Sequence, residues 1–328
     1  MSKSKIDWTD KTWNPTTGCT MGCSYCYAER MAARLQKMGQ AKYKNGFVPA
    51  CHPSELGNPM LRSAKPARIF VNSMGDLFDP AIPFNFIVKV FAEMGHASQH
   101  TFCILTKNSA RMETMMSAWA NSGSFHLANL TELPNVWLGV TITKQEDIRR
   151  WWDLYYTCTL HRFISFEPLL GPFRFDCIHC HGKGSYDDND QTPCPACNAT
   201  GQTLDRLDWV IAGGQNGTDA QPTHPDWVRG LRDNCQAANI PFFFKGWGEW
   251  APYDGASPDV DDDPEISKFL HMEWDEDGHW GKVGYRDVGY PMWCDFQDSI
   301  DADLCTVRVG RKKAGHILDG REWREFPK

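Results

Sequence analysis

Two groups of cysteines are set apart by their spacing. The first is Cys19, Cys23 and Cys26, a C-x3-C-x2-C run that leads directly into a helical pattern beginning at Tyr27. Three thiolates from one short loop can converge on a single metal centre. A structural zinc and a four-iron cluster each have four positions to fill. Three ligands therefore leave one position open, and catalysis at a metal needs an open position. Cys51 or His52 would close such a site, although the spacing selects neither. A closed zinc site, or three unrelated cysteines, is the plainer alternative. The second group is Cys177, Cys180, Cys194 and Cys197, two CxxC knuckles with 13 residues between them. Four thiolates at this spacing make a closed tetrahedral zinc site. Thiolates would also accept a second iron–sulfur cluster. The other six cysteines (51, 103, 158, 235, 294 and 305) have no ligand spacing, and the odd total of 13 cannot pair completely as disulfides.

The elements that must position these groups form a regular pattern. Short apolar runs at 68–72 (RIFVN), 101–106 (TFCILT), 136–141 (VWLGVT), 162–166 (RFISF), 209–212 (WVIA) and 241–244 (PFFF) read as strands, most of them apolar on both faces as in a buried parallel sheet. Helical patterns at 27–37, 83–97, 109–120, 144–155 and 225–238 alternate with them, the last capped by Thr223 or Asp226. This alternation predicts an α/β fold with a parallel sheet, either open or closed as a barrel. The strands run out into Asn72 and Ser73, Thr106 and Lys107, Glu167, Gly213 and Gly214, and Lys245. Parallel α/β folds build their sites at C-terminal strand ends, although any one of these residues alone reads equally as the first residue of a loop.

Composition limits the remaining choices. With 328 residues, 41% hydrophobic and 23% charged, the chain is globular, long enough for two domains or for one barrel-sized domain with an insertion. Residues 176–203, rich in Cys, Gly and His, interrupt the pattern as that insertion. The net charge of −7 is concentrated: residues 251–303 carry 15 acidic side chains against Lys268, Lys282 and Arg286, which leaves the rest about +5. A basic body surface therefore remains compatible with an acidic protein. The 251–303 stretch reads as a loop-rich appendage or simply an acidic surface. No run approaches the roughly 18 apolar residues of a membrane span. The N-terminus lacks an apolar stretch after its lysines, so a cytoplasmic location is expected, where disulfides are rare. Trp8, Trp13, Trp247 and Trp250 flank the expected site and either stack on a base or pack.

At Cys19, Cys23, Tyr25 and Cys26 the chain resembles the radical S-adenosylmethionine (radical SAM) superfamily. More closely, much of the chain is similar to a family found in phages and bacteria with a radical-SAM-type core and no settled general function. The resembling segments are WTDKTWNPTTGC (8–19), CYAERMA (26–32), SMGDLFDP (73–80), ILTKNSARM (104–112), WLGVTI (137–142), FISFEPLLGP (163–172), GGQNG (213–217), the run 224–250 and DGREWREFP (319–327). The resemblance implies a partial (β/α)6 TIM-like barrel: a core at 1–175 and 204–250, an inserted zinc knuckle at 176–203, and an acidic C-terminal appendage and tail at 251–328. It implies a [4Fe-4S] cluster on Cys19, Cys23 and Cys26, with S-adenosylmethionine on the fourth iron. Reductive cleavage to a 5′-deoxyadenosyl radical then depends on an external one-electron reductant. Ser73, Gly75 and Asp76 stand where the superfamily meets the amino group of the cofactor, although the superfamily's usual form there is Gly-Gly-Glu. Gly213 and Gly214 would admit the cofactor to the backbone. Lys107, Glu167 and Lys245 would bind cofactor or substrate, or pair at the rim. Phage association points to modification or rearrangement of a nucleic-acid base or nucleotide, in the host cytoplasm if the chain is phage-encoded. Each knuckle precedes a glycine-containing run, HGKG (181–184) and NATG (198–201), and looks like the cysteine-rich repeat of J-domain chaperones as a fold element only. The competing reading is a zinc-dependent nucleic-acid or protein binding module without catalysis.

Overall fold

The computed structural model describes residues 2–63, 65–185, 192–198, 200–253, 271–274, 280–283 and 305–327. Most of the acidic stretch 251–303 lies outside them. Eight strands form the main sheet: β1 (Ser2–Lys3), β2 (Lys11–Trp13), β3 (Arg68–Val71), β4 (Thr101–Thr106), β5 (Val136–Thr141), β6 (His161–Phe166), β7 (Trp209–Gly213) and β8 (Phe242–Gly246). Their spatial order is their chain order. β1 pairs antiparallel with β2, and every later pair is parallel. All six strand candidates appear, with small shifts at the ends.

An order that never reverses has a physical consequence. Crossovers between parallel strands are right-handed, so connections that all step the same way fall on one face of the sheet. The helices α1 (Tyr27–Lys37), α2 (Phe84–His96), α3 (Ser109–Ala120), α4 (Ile148–Tyr156) and α5 (Pro225–Ala237) alternate with the strands. One buried cluster joins Ile69, Ile104, Leu138, Ile164, Val210 and Phe244 of the strands to Phe91, Met112, Trp151 and Leu231 of the helices. The residues next to these in each strand point the other way, and Phe70, Cys103, Trp137, Phe163, Trp209 and Phe243 gather around Trp8 in a second cluster. In a flat sheet β3 and β7 would lie roughly 19 Å apart, at about 4.8 Å per strand. Arg68 on β3 nevertheless holds its guanidinium carbon 5.4 Å from the centre of the Trp209 ring on β7, and the Trp8 ring sits 4.9, 6.1 and 5.9 Å from Phe70, Phe163 and Trp209. The sheet therefore curls into a trough filled by Trp8, and stays open between β1 and β8.

Three local features differ from expectation. The 144–155 helix splits into a 3-10 turn at Gln145–Asp147 and α4, because Asp147 turns back to accept from the Thr143 N–H and hydroxyl at 2.9 and 2.7 Å. The cap of α5 is His224, whose Nδ1 accepts from the Asp226 N–H at 3.1 Å, while the Thr223 hydroxyl donates to the Leu169 carbonyl. The stretch expected to be loop-rich contributes strands to an antiparallel sheet of β9 (Trp250–Tyr253), β10 (His271–Trp274), β11 (Trp280–Val283) and β12 (Cys305–Arg308), in the order β9-β12-β10-β11. Strands of four residues are too short to show a period of two convincingly. The chain end then returns to the sheet: Phe244 N–H donates to the Trp323 carbonyl and Glu325 N–H to that of Phe242, at 2.7 and 3.1 Å, which covers the exposed edge of β8.

Candidate active site

The three-cysteine loop is clamped to the C-terminal end of β3. Gly18 runs alongside Gly75 as a parallel bridge, with Gly18 N–H donating to the Met74 carbonyl and Asp76 N–H to the Gly18 carbonyl, at 2.9 and 3.3 Å. Any side chain here would collide: a Cβ on Gly75 would lie 2.7 Å from the Gly18 carbonyl oxygen, and Gly18 itself has φ +83° with Val48 backbone 2.4 Å from a Cβ. One residue past Cys19, the Thr20 N–H and hydroxyl both donate to Asp79 Oδ2, at 2.7 and 2.9 Å. Asp79 is fully buried, and its other oxygen accepts from the Ala81 N–H. Arg111 on α3 donates to the carbonyls of Phe78, Asp79 and Ile82 and fixes this loop from below. Asp79 and Arg111 both lie in resembling segments, but no local spacing in the sequence marks either as part of this clamp.

Each sulfur of the loop accepts a hydrogen bond: Cys19 from the Met21 N–H, Cys23 from Lys107 Nζ at 3.2 Å, and Cys26 from the Glu29 N–H as the cap of α1. Burial pushes the Cys19 thiol up to about 12, and the Asp76 and Asp79 carboxylates add to the rise against the Met21 N–H. A bound cation reverses this balance and deprotonates the thiol. Lys107, just past β4, also donates to the Tyr25 hydroxyl at 2.9 Å and stands 4.4 Å above its ring centre. Burial would lower its ammonium, but Tyr25 and Cys23 outweigh burial and hold it above the ordinary lysine value. His52 pairs instead with the Thr17 hydroxyl at 2.8 Å, and Cys51 lies in a two-residue ladder opposite Thr16.

The rest of the rim is built from strand ends on the trough face. Asp76, wholly buried, accepts from the Thr106 hydroxyl, the Lys107 and Phe78 N–H groups and the Asn108 amide, all within 3.1 Å. Burial raises its carboxyl above the ordinary aspartate value in spite of these donors. Its first role is to tie the end of β3 to the end of β4. The Ser73 hydroxyl donates to Asn14 Oδ1 at 3.2 Å, and its carbonyl accepts from the Tyr27 hydroxyl. Glu167 and Lys245 meet across β6, β7 and β8 as an ion pair at 2.5 Å, and Glu167 also accepts from the Trp8 indole and the Ser165 hydroxyl at 3.2 and 3.1 Å. Gly213 lies between them, with Glu167 Oε1 3.4 Å from where its Cβ would be. At Gly214 a Cβ would sit 2.0 Å from the Trp247 carbonyl oxygen, so only glycine fits.

The second cysteine group is separate and self-contained. The four sulfurs of Cys177, Cys180, Cys194 and Cys197 lie within 4.8 Å of one another, all buried, the one such group of three or more ligating side chains among the described residues. Each knuckle ends in a residue with positive φ, His181 at 50° and Asn198 at 48°, and the two halves bond reciprocally, Cys177 N–H to the Gly201 carbonyl and Cys194 N–H to that of Gly184. Four thiols in one buried pocket suit a tetrahedral metal ion.

Together these features define an α/β protein with a curled parallel sheet and a cysteine loop fixed at its C-terminal rim. The chain matches the model of the family described as "Protein of unknown function (DUF5131)" over residues 3–327 and belongs to that family. Among curated proteins none matches. Two solved structures are similar: a spore photoproduct lyase double mutant with bound AdoMet and dinucleoside spore photoproduct (12% identity, TM-score 0.37, 84% of this chain and 68% of that one), and spore photoproduct lyase complexed with dinucleoside spore photoproduct (12%, 0.37, 87% and 71%). A likeness this loose transfers no chemistry. No helix among the described residues is long and apolar enough to cross a membrane.

Proposed function

We propose that the chain is a radical S-adenosylmethionine enzyme that modifies or rearranges a nucleic-acid base or nucleotide. The observation that carries this reading is the C-x3-C-x2-C loop itself, with three thiols that each accept one hydrogen bond, clamped at the C-terminal rim of a curled parallel sheet. Cys19, Cys23 and Cys26 would hold three corners of a [4Fe-4S] cluster and leave the fourth to the amino and carboxylate groups of S-adenosylmethionine. That pair, when bound, supplies one-electron cleavage of the sulfonium and, through it, hydrogen abstraction from a substrate.

The chain's own residues prepare the rim for this chemistry. Lys107 brings one positive charge to the Cys23 sulfur and offsets part of the thiolate charge. Asp76 and Asp79 stiffen the loops that carry the cysteines, and Ser73 and Gly75 offer backbone at the same edge. Gly214 is covered by the Trp247 and Gly248 backbone, so its lack of a side chain serves that packing at the rim rather than the approach of adenine or ribose. Glu167 and Lys245 present one carboxylate and one ammonium above a trough floored by aromatic rings. Cys177, Cys180, Cys194 and Cys197 would hold zinc as a structural staple for an insertion too small to build a core.

A second reading, a zinc-dependent nucleic-acid or protein binding module without catalysis, is favoured by the fact that the knuckle sulfurs alone are gathered for a metal among the described residues. One experiment separates the two. Protein purified and reconstituted without oxygen is expected to be brown, to bind about four irons beyond its zinc, and to release 5′-deoxyadenosine from S-adenosylmethionine when reduced. Colourless protein that carries only zinc after reconstitution would overturn the enzyme reading.

A further inference from the structure

The chain is acidic overall, yet one cavity is not. A recess of about 440 Å³ opens where the N-terminal loop, the ends of β7 and β8, and the residues around the short helix α6 (Arg311–Ala314) come together. Its charged lining is Lys245, Arg311, Lys312 and Arg324 against a single carboxylate, Asp7, with the His316 ring beside them. Lys245 is already paired with Glu167 at 2.5 Å, and His316 Nε2 lies 2.7 Å from a Glu322 carboxylate oxygen. Arg324 is poorly paired. Its Nε is buried without a hydrogen-bond acceptor, and the nearest carboxylate oxygen, on Glu322, is 3.5 Å away. Arg311 and Lys312 are exposed and make no ion pair with any described residue. Cations that converge on one recess repel one another, and an anion placed among them relieves that repulsion and gains charge-assisted hydrogen bonds. Gly315 in the same wall is open, with the Lys313 carbonyl oxygen 3.9 Å from where a Cβ would lie, whereas Gly246 and Gly248 are packed against neighbouring backbone.

The recess also shares a wall with the candidate active site, because Lys245 lines it and pairs with Glu167 at the rim. We infer that it is a phosphate-binding pocket that anchors the substrate by its phosphate, so that the attached sugar and base extend over Lys245 toward the trough. Arg311, Lys312 and Arg324 would hold the phosphate, and Lys245 would sit between anchor and reacting centre. This rests on the proposed function only for what lies beyond the phosphate; the pocket itself stands on its own lining. The source of the phosphate is either a free nucleotide or a single-stranded nucleic acid.

Binding to full-length protein, measured without reductant, tests the pocket apart from the chemistry. A fluorescent single-stranded DNA 12-mer is titrated at several salt concentrations, with thymidine monophosphate and inorganic phosphate as competitors. The expected result is that Arg311→Glu/Lys312→Glu weakens 12-mer binding by at least about tenfold and flattens the salt dependence by roughly one charge, and that Arg324→Gln weakens it several-fold. Competition by the mononucleotide at micromolar levels would assign a free nucleotide; competition only at millimolar levels would assign a strand. Unchanged affinity and salt slope in both variants, or no binding by the wild type, would overturn the pocket. Binding that follows the variants in protein that never cleaves S-adenosylmethionine would keep the pocket and remove the enzyme reading; cleavage without binding would do the reverse.

Discussion

The two cysteine sites differ in what holds them together. The four-cysteine knuckle is local: two similar turns, positive φ at His181 and Asn198, and reciprocal backbone bonds bring four buried sulfurs within 4.8 Å. Among the described residues the bonds that gather its sulfurs lie between residues 176 and 203, and the body touches it at Asp176 and His179 through Trp152, Gln145 and Tyr156. The three-cysteine loop is shaped from far away. Its backbone is held by Gly75 and Asp79, and one sulfur by Lys107, some 55 to 85 positions along the chain. Four sulfurs can be gathered within a short insertion, whereas the three-cysteine loop borrows its rigidity from the fold.

The largest test of this contrast is a pair of substitutions. Under the proposed function, Cys23→Ala should eliminate the iron chromophore and all cleavage of S-adenosylmethionine and leave bound zinc at wild-type stoichiometry. Cys194→Ala should lose the zinc and lower the melting temperature while iron is retained; metal analysis beside absorbance reads both. Loss of both metals from either variant would mean that the sites are not independent. A smaller effect is expected from Asp79→Ala, which removes no ligand. It takes a buried acceptor from the Thr20 and Ala81 N–H groups, and because both residues are exposed and water can replace it, the cost is about 1 kcal/mol for each hydrogen bond lost. The variant should unfold at lower denaturant and lose iron faster than wild type during gel filtration, with zinc unaffected. Wild-type iron retention would show that the loop needs no such clamp.

Legibility in the sequence follows the same division between local and distant. The strand Thr101–Thr106 and the helix Ser109–Ala120 are readable to the residue, because an apolar run of six and a helical period are local signals. The knuckle is readable too, since its spacing is its geometry. The polar strand ends identify Lys107, Glu167 and Lys245 as neighbours of one rim, but the direct pairing of Glu167 with Lys245 depends on the parallel register of β6, β7 and β8. The clamp by Asp79 and the basic recess are not readable. The recess joins Asp7 to Arg324 across almost the whole chain, and an arginine that lines a cavity has the same local sequence as one in solvent. The His224 cap is not readable for a related reason: histidine is an unusual cap, and Thr223 next to it is a common one.

The smallest effect tests whether the chain end belongs to the site. Asp319, at the turn between Ile317–Leu318 and Arg321–Glu322, pairs with Arg229 at 3.0 Å and with Arg232, both on α5, and so holds the segment that carries His316 and Arg324 against the body. Burial would raise its carboxyl, but the two guanidinium groups outweigh burial and hold it below the ordinary value of 3.8. A depressed carboxylate contributes stability that is present above its unfolded pKa and is lost as pH falls through the lower, folded value. Asp319 is about a third exposed, so solvent screening limits the contribution to roughly 0.5–1 kcal/mol. Asp319→Asn should therefore cost about that much at pH 7 and progressively less below pH 4, as the wild type loses the same contribution. If the recess depends on this anchor, the variant should also weaken 12-mer binding at pH 7 with no change in salt slope, because it loosens the pocket without removing a phosphate contact. A cost that persists undiminished at pH 3 would trace the stability to packing at the turn rather than to the ion pairs.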